Sequence, residues 1–342
     1  MKTPEVLCQI CGLSSRFPGV KIINKECNFC KEREKLTKAA LPSKKFCYTP
    51  PLGKELQTRL KNNMELYFKT IRKADKYHGI VAYSGGVDST YILDLLINTY
   101  KLNIIPVTVN MGHLNKKALE NIKLSLKKLH ITNHVLINNK KRLFSKIYAY
   151  FLQRQKKLAV KEGNPLCCMV CHHVIDLLIY NEAYKYDVDF VASGLDRFQT
   201  PPELNFLLTG KDFYLGLNSK EHFNALTKSW PKDIFTRLFS KQEISSFNGY
   251  MYRPQKNAPK TIYPTWLLEY DRVSITKDLI KKRLIKNEAT GCPFLRFASQ
   301  YHYAQYGYEI NEFYRSNKVW EMKNNIMRNK KRNRRIKINK FV

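Results

Sequence analysis

Ile80-Val81-Ala82-Tyr83-Ser84-Gly85-Gly86-Val87-Asp88-Ser89-Thr90 runs from an apolar stretch through a glycine turn into a helical pattern. Four apolar residues closed by Ser-Gly-Gly read as a short buried strand. Helical spacing follows from Tyr91 to Tyr100, with the helix beginning near Thr90. Between them, two adjacent glycines let the backbone adopt positive φ and approach an anion with no Cβ in the way. The following helix aims its free N–H groups and the positive end of its dipole at the same place. Ser84, Ser89 and Thr90 add hydroxyl donors. Asp88 would be repelled by a bare phosphate, so a carboxylate here implies a bridging Mg2+. The set suits the pyrophosphate of a bound ATP. A Walker A loop is excluded, because its Gly-x4-Gly-Lys-Ser/Thr spacing is absent.

Outward from this stretch, strands and helices alternate. Ile104–Val109, His134–Ile137 and Val188–Ala192 read as three further strands, and Asn115–Leu129 as an amphipathic helix. Such alternation implies right-handed crossovers and a parallel α/β sheet. Ligands then sit beyond the carboxyl ends of the strands. Upstream, Leu56, Leu60, Met64, Tyr67, Phe68 and Ile71 recur at helical spacing within Glu55–Lys76. The expected organisation is a Cys-rich module at 1–35, a Lys/Pro-rich linker and helix at 36–77, the alternating domain at 78–200, and an aromatic-rich, basic region at 201–342.

Ser84-Gly85-Gly86-Val87-Asp88-Ser89 after a first strand resembles the PP-loop of the adenine nucleotide alpha hydrolases, the N-type ATP pyrophosphatases. The resemblance implies about five parallel strands flanked by helices. It also implies cleavage of ATP to AMP and pyrophosphate, with AMP transferred to a substrate carbonyl oxygen. Asp88 is the expected catalytic carboxylate of the loop, and Val87 stands where some members carry Lys. In this superfamily Asn110, after the second strand, falls where adenine and ribose are cupped. Gly194 and Asp196, in Ser193-Gly194-Leu195-Asp196-Arg197 after the fourth strand, fall at the sheet edge of the loop. There Gly194 allows close backbone approach, Asp196 is a candidate for metal or pyrophosphate, and Arg197 for phosphate.

The nine cysteines fall mostly in two groups. Cys8-x2-Cys11-x15-Cys27-x2-Cys30 has the spacing of a two-knuckle, four-thiolate zinc ribbon. Phe17-Pro18-Gly19-Val20 and Cys27-Asn28-Phe29-Cys30 also resemble the opening of the N-acetyl sugar amidotransferases, members of the same superfamily. Cys167-Cys168-Met169-Val170-Cys171 opens a helical stretch, His173–Tyr184, and a helix N-terminus lowers a thiol pKa. One Cys-x2-Cys pair cannot complete a site. Cys292, in Thr290-Gly291-Cys292-Pro293-Phe294, and the adjacent Cys167 are candidates to join it. Cys168, Cys171 and Cys292 resemble the three thiolates that hold a [4Fe–4S] cluster in iron–sulfur-dependent tRNA thiolation enzymes of the superfamily. A second zinc or a catalytic persulfide would use the same thiols. Cys47 is isolated and expected to have no role.

Of the 342 residues, 60 are Lys or Arg against 28 Asp or Glu, a formal charge of +32. That excess points to a polyanionic partner, or to a compositional bias that raises Lys, Asn and Ile together. The tail Arg328–Lys340 carries basic residues and no acid. No apolar run is long enough to span a membrane and no secretory signal is evident, so a cytoplasmic location with reduced thiols is expected. The expected ligands are ATP, Mg2+, Zn2+ and a [4Fe–4S] cluster. Thiolation of a tRNA or nucleotide base, with sulfur from a donor protein, is the leading reading. The alternative is amidation of an N-acetyl sugar with ammonia from a glutaminase partner.

Overall fold

The structure is a computed structural model that describes residues 4–41, 43, 45–72, 75–153, 160–161, 164–199, 212–215, 237–247, 258–289 and 292–324. The apolar runs of the sequence become strands β1 (Gly79–Ala82), β2 (Ile104–Val109), β3 (Val135–Ile137) and β4 (Phe190–Ala192). Two more strands come from the C-terminal region: β5 (Tyr214–Leu215) and β6 (Lys260–Ile262). The sheet order is β3-β2-β1-β4-β6-β5. Strands β1, β2, β3, β4 and β6 run parallel, and β5 closes the edge antiparallel to β6. The expected five-stranded parallel sheet is present, with its fifth strand supplied after residue 200. Pro106 lies inside β2 but before β3 begins to pair at Val107, where a missing N–H is tolerated.

Alternate side chains on each strand enter opposite cores, as a pleated strand requires. Ile80, Ile105, Val107 and Val191 pack against α5 (Lys141–Gln153) and α6 (Leu166–Lys185), and Ile244 of α7 (Lys241–Phe247) joins the same core. Val81, Ile104, Phe190 and Ile262 face α2 (Lys54–Ile71), α3 (Val87–Asp94), α4 (Lys116–Lys128) and the later helix Arg272–Lys281. The result is three layers, helix–sheet–helix. Asn115 caps α4 by accepting the Lys117 N–H at 3.0 Å, as an Ncap side chain should. No helix among the described residues is long and apolar enough to cross a membrane.

A third core joins the N- and C-terminal regions. A hairpin of Ile22–Ile23 and Glu26–Cys27 turns through Asn24 and Lys25, both at positive φ, and leads into α1 (Asn28–Ala39). The knuckles pack with Phe46, Tyr48, Phe198, Tyr308, Phe313 and Trp320. Residues 46–49, in the stretch whose composition reads as a linker, are therefore buried. Cys47 is buried with them, and its carbonyl accepts from Asn317. The basic tail, Arg328–Lys340, lies outside the described residues.

Candidate functional site

Strand order reverses at β1, with β2 on one side and β4 on the other, so a crevice opens above their carboxyl ends. The phosphate loop leaves β1 there. Gly85 has φ +71° and sits against α4, where an added Cβ would lie 2.4 Å from the Ala118 carbonyl oxygen. Gly86 has φ −81° and serves as Ncap of α3, so only one of the two glycines uses the left-handed region. Ser84 and Ser89 fold over the turn with their hydroxyls 3.2 Å apart, and the Thr90 hydroxyl donates to the Gly86 carbonyl at 2.8 Å. Val87 is buried in the core on the far side. Gly194, after β4, approaches so closely that a Cβ would lie 3.0 Å from both the Asp88 carbonyl carbon and the Ser89 nitrogen. Two strand ends and a helix N-terminus thus meet at one point, with no side chain between the Gly194 backbone and the loop.

This point is one end of a cavity of about 460 Å3. Ser84, Gly86, Asp88, Ser89 and Gly194 line that end, and Cys167, Cys168, Cys171 and Cys292 line another wall. The volume falls in the ordinary range for small-molecule sites. Val107, Val109, Met111 and Leu114 provide an apolar side suited to a flat base. Asn110 is not in the lining. Its amide donates to Asn138 at 2.5 Å and its carbonyl oxygen accepts the Gly112 N–H at 2.9 Å, so it shapes the loop that presents Met111. Asp196 lies just outside the lining. Its carboxylate accepts from the Tyr314 hydroxyl at 2.6 Å and pairs with Lys318 at 3.5 Å. Arg197 does not face phosphate: it grips Glu321 with both terminal nitrogens and donates to the Thr49 carbonyl at 2.8 Å.

Cys168 and Cys171 lie in the first two turns of α6, and Cys292 is the Ncap of α10 (Pro293–Tyr306). Two elements more than a hundred residues apart in sequence therefore bring these thiols to one wall. Their sulfurs do not all lie within 4.8 Å of one another, whereas those of Cys8, Cys11, Cys27 and Cys30 do. The helix start does not acidify the thiols, contrary to the expectation from position. Burial pushes Cys168 up to about 12, and raises Cys167 and Cys171 as well. A first-turn dipole contributes about 0.3–1 kcal/mol, less than one pKa unit, so desolvation prevails. The Cys171 thiol also contacts the Tyr148 hydroxyl at 3.5 Å and the Met111 sulfur at 3.6 Å.

Residues 78–196 match the family model of the arginosuccinate synthase N-terminal HUP domain. The matched segment runs from β1 through the phosphate loop to Asp196 after β4. An uncharacterised protein of Methanocaldococcus jannaschii is 35% identical over 74 residues, 22% of this chain and 24% of that protein. The argininosuccinate synthase of the same organism is 27% identical over 115 residues, 34% of this chain and 28% of that enzyme. The chain thus matches only about a quarter of the length of these curated relatives. Among solved structures, the tRNA thiolase NcsA from Methanococcus maripaludis with its [4Fe-4S] cluster is 14% identical, covering 82% of this chain and 87% of that one at a TM-score of 0.32. A score that low says nothing about shared chemistry.

Several residues around the PP-loop carry no sequence motif. Asp176 faces the cavity from α6, two helical turns beyond Cys168. Burial pushes its carboxyl up to about 7. His172 lies between them on the same face, lowered by burial. An i, i+4, i+8 reading of α6 from Cys168 would have found both. Arg272 and Tyr270 reach Asp88 from a segment with no recognisable pattern: Arg272 Nη1 donates to both carboxylate oxygens at 3.0 and 2.8 Å, and the Tyr270 hydroxyl donates to Oδ1.

At the N-terminal knuckles, sulfur–sulfur distances are 3.8 Å for Cys8–Cys30 and 3.6 Å for Cys11–Cys27 and Cys27–Cys30. A tetrahedron with metal–sulfur bonds of about 2.3 Å has edges of about 3.8 Å. Hydrogen bonds from neighbouring thiols pull Cys11 down to about 2, while the same contacts push Cys27 up to about 12 and raise Cys30. Left to themselves Cys27 and Cys30 resist ionisation beside Cys11; a dication removes that conflict. Arg33, fully buried, donates to Asn317 and Ser316 at 2.8 Å each and reaches the Cys30 sulfur at 3.8 Å. The knuckles are thereby locked to the helical residues 312–324, which carry Tyr314 and Lys318 to the cavity.

Proposed function

We propose that this chain cleaves ATP to AMP and pyrophosphate, transfers AMP to an amide-type carbonyl oxygen, and replaces that oxygen with sulfur on a tRNA or nucleotide base. The carrying observation is that one cavity holds the phosphate loop and the four thiols Cys167, Cys168, Cys171 and Cys292. An amide oxygen leaves badly; as part of an AMP ester it leaves well. The carbonyl oxygen attacks the α-phosphorus, and pyrophosphate departs with the bonding electrons. The loop N–H groups of α3, with the Ser84 and Ser89 hydroxyls, stabilise the charge that develops on the leaving phosphates. Asp88 and Asp196 are the carboxylates that would hold Mg2+, which neutralises the phosphate oxygens when bound. Gly194 keeps the loop backbone free to close on the anion.

Cys168, Cys171 and Cys292 would hold a [4Fe–4S] cluster, whose open iron supplies a site for sulfide. The four N-terminal thiols hold one structural Zn2+. A charge of +32 exceeds what ATP requires and supports RNA as the acceptor.

Anaerobic purification tests the reading. The expected protein is brown, carries iron and acid-labile sulfide beside one zinc, and loses the iron on Cys168→Ala. Colourless, zinc-only protein that turns over a nucleotide-linked N-acetyl sugar with ammonia would replace sulfur transfer with amidation.

A further inference from the structure

The carboxylates that follow β1 and β4 are each capped in the same way. Asp88 receives the Tyr270 hydroxyl and Arg272, and Asp196 receives the Tyr314 hydroxyl and Lys318. All four capping residues come from the C-terminal region, and Arg272, Tyr314 and Lys318 line the cavity beside Asp88. We propose that Arg272 and Lys318 form a two-cation clamp for the pyrophosphate half of ATP, held on Asp88 and Asp196 until a metal-bound nucleotide arrives. The inference rests on the ATP reading above and names residues that no motif assigns.

A carboxylate that binds Mg2+ cannot keep a guanidinium against both of its oxygens, because the two cations repel at a few ångströms. The nearest alternative anion is the phosphate that shares the metal. Arg272 then offers that phosphate a planar fork suited to its oxygens. Arg272 and Lys318 keep 38% and 45% of their side-chain surface exposed, so each has room to turn.

The helix that carries Arg272 stays in place when the pair opens. This helix, α9 (Arg272–Lys281), runs beside α3 with an ion pair at each end: Arg272–Asp88 at the cavity, and Lys282–Asp94 at 2.8 Å on an Asp94 only 7% exposed. Asp271 also caps α9 through the Val273 and Ser274 N–H groups. The Lys282–Asp94 pair and the cap anchor the two ends of α9, leaving the Arg272 side chain as the part able to change partner.

Titration calorimetry with magnesium pyrophosphate, and Mn2+ binding followed by electron paramagnetic resonance, test the clamp. Arg272→Ala is expected to weaken pyrophosphate roughly tenfold or more while tightening Mn2+ alone, because the competing cation is gone. Lys318→Ala should weaken pyrophosphate less, and Arg272→Lys should fall between wild type and Arg272→Ala. Lys282→Ala should lower the melting temperature and leave pyrophosphate affinity unchanged. Unchanged or tighter pyrophosphate binding by Arg272→Ala would overturn the clamp and make Arg272 only the counter-ion of Asp88. A wild type that binds no pyrophosphate would instead overturn the phosphate-loop reading itself, and the clamp with it.

Discussion

Asp176 shows how environment rather than motif sets the protonation of a carboxyl. Its carboxyl has a value near 3.8 in water and is pushed up to about 7 by burial. Between those values the folded chain holds a proton that the unfolded chain has lost, so stability falls as pH rises from about 4 to about 7. Asp176→Asn removes this dependence. Its stability relative to wild type, from urea midpoints, should increase between pH 5 and pH 8 by on the order of 1–2 kcal/mol, discounted for the open side of the cavity. A difference that does not change with pH would contradict the poised carboxyl. Nothing in the sequence around Asp176 announces this, because the shift comes from what surrounds it. Asp88 and the cysteines are legible for the opposite reason: their spacing is itself the chemical requirement. Spacing still misleads about state, as at Cys168, where burial outweighs the helix dipole and raises the thiol.

At the scale of elements, four of the five parallel strands can be read from apolar runs, since each is short, continuous and closed by turn residues. The fifth, Lys260–Ile262, has three residues and a polar flank, too little pattern to stand out from an aromatic-rich region. The same limit hides Tyr270 and Arg272, which follow that strand by one short helical turn at Pro264–Leu267, α8. The N-terminal knuckles are readable as a metal module, but their docking is not. It depends on Arg33 meeting Asn317 and Ser316 across nearly the whole chain. This docking has a consequence for metal removal. A strong chelator should release one zinc per chain and lower the melting temperature by several degrees, because metal-site energy is folding energy for so small a module. Pyrophosphate affinity should fall with it, through loss of the position of Tyr314 and Lys318. An unchanged melting temperature in fully zinc-free protein would contradict a supporting role for the knuckles.

Across the whole molecule, three separate lengths of chain converge on one cavity. The PP-loop domain gives the phosphate loop and Cys168 with Cys171; the segment after β6 gives Arg272 and Cys292; the helical residues 312–324, held by the knuckles, give Tyr314 and Lys318. The charge of +32 belongs to this scale, since it concerns what the surface attracts rather than how the chain folds. The proposed reaction of this cavity is cleavage of ATP between its α- and β-phosphates on behalf of an acceptor. The most direct test incubates anaerobically purified protein with α-labelled ATP and Mg2+, adding in turn total tRNA, free nucleotides and nucleotide sugars. Equimolar AMP and pyrophosphate are expected, released only with an acceptor and most strongly with tRNA, and abolished by Asp88→Asn. Release of ADP and phosphate, or no cleavage with any of the three acceptor classes, would contradict it.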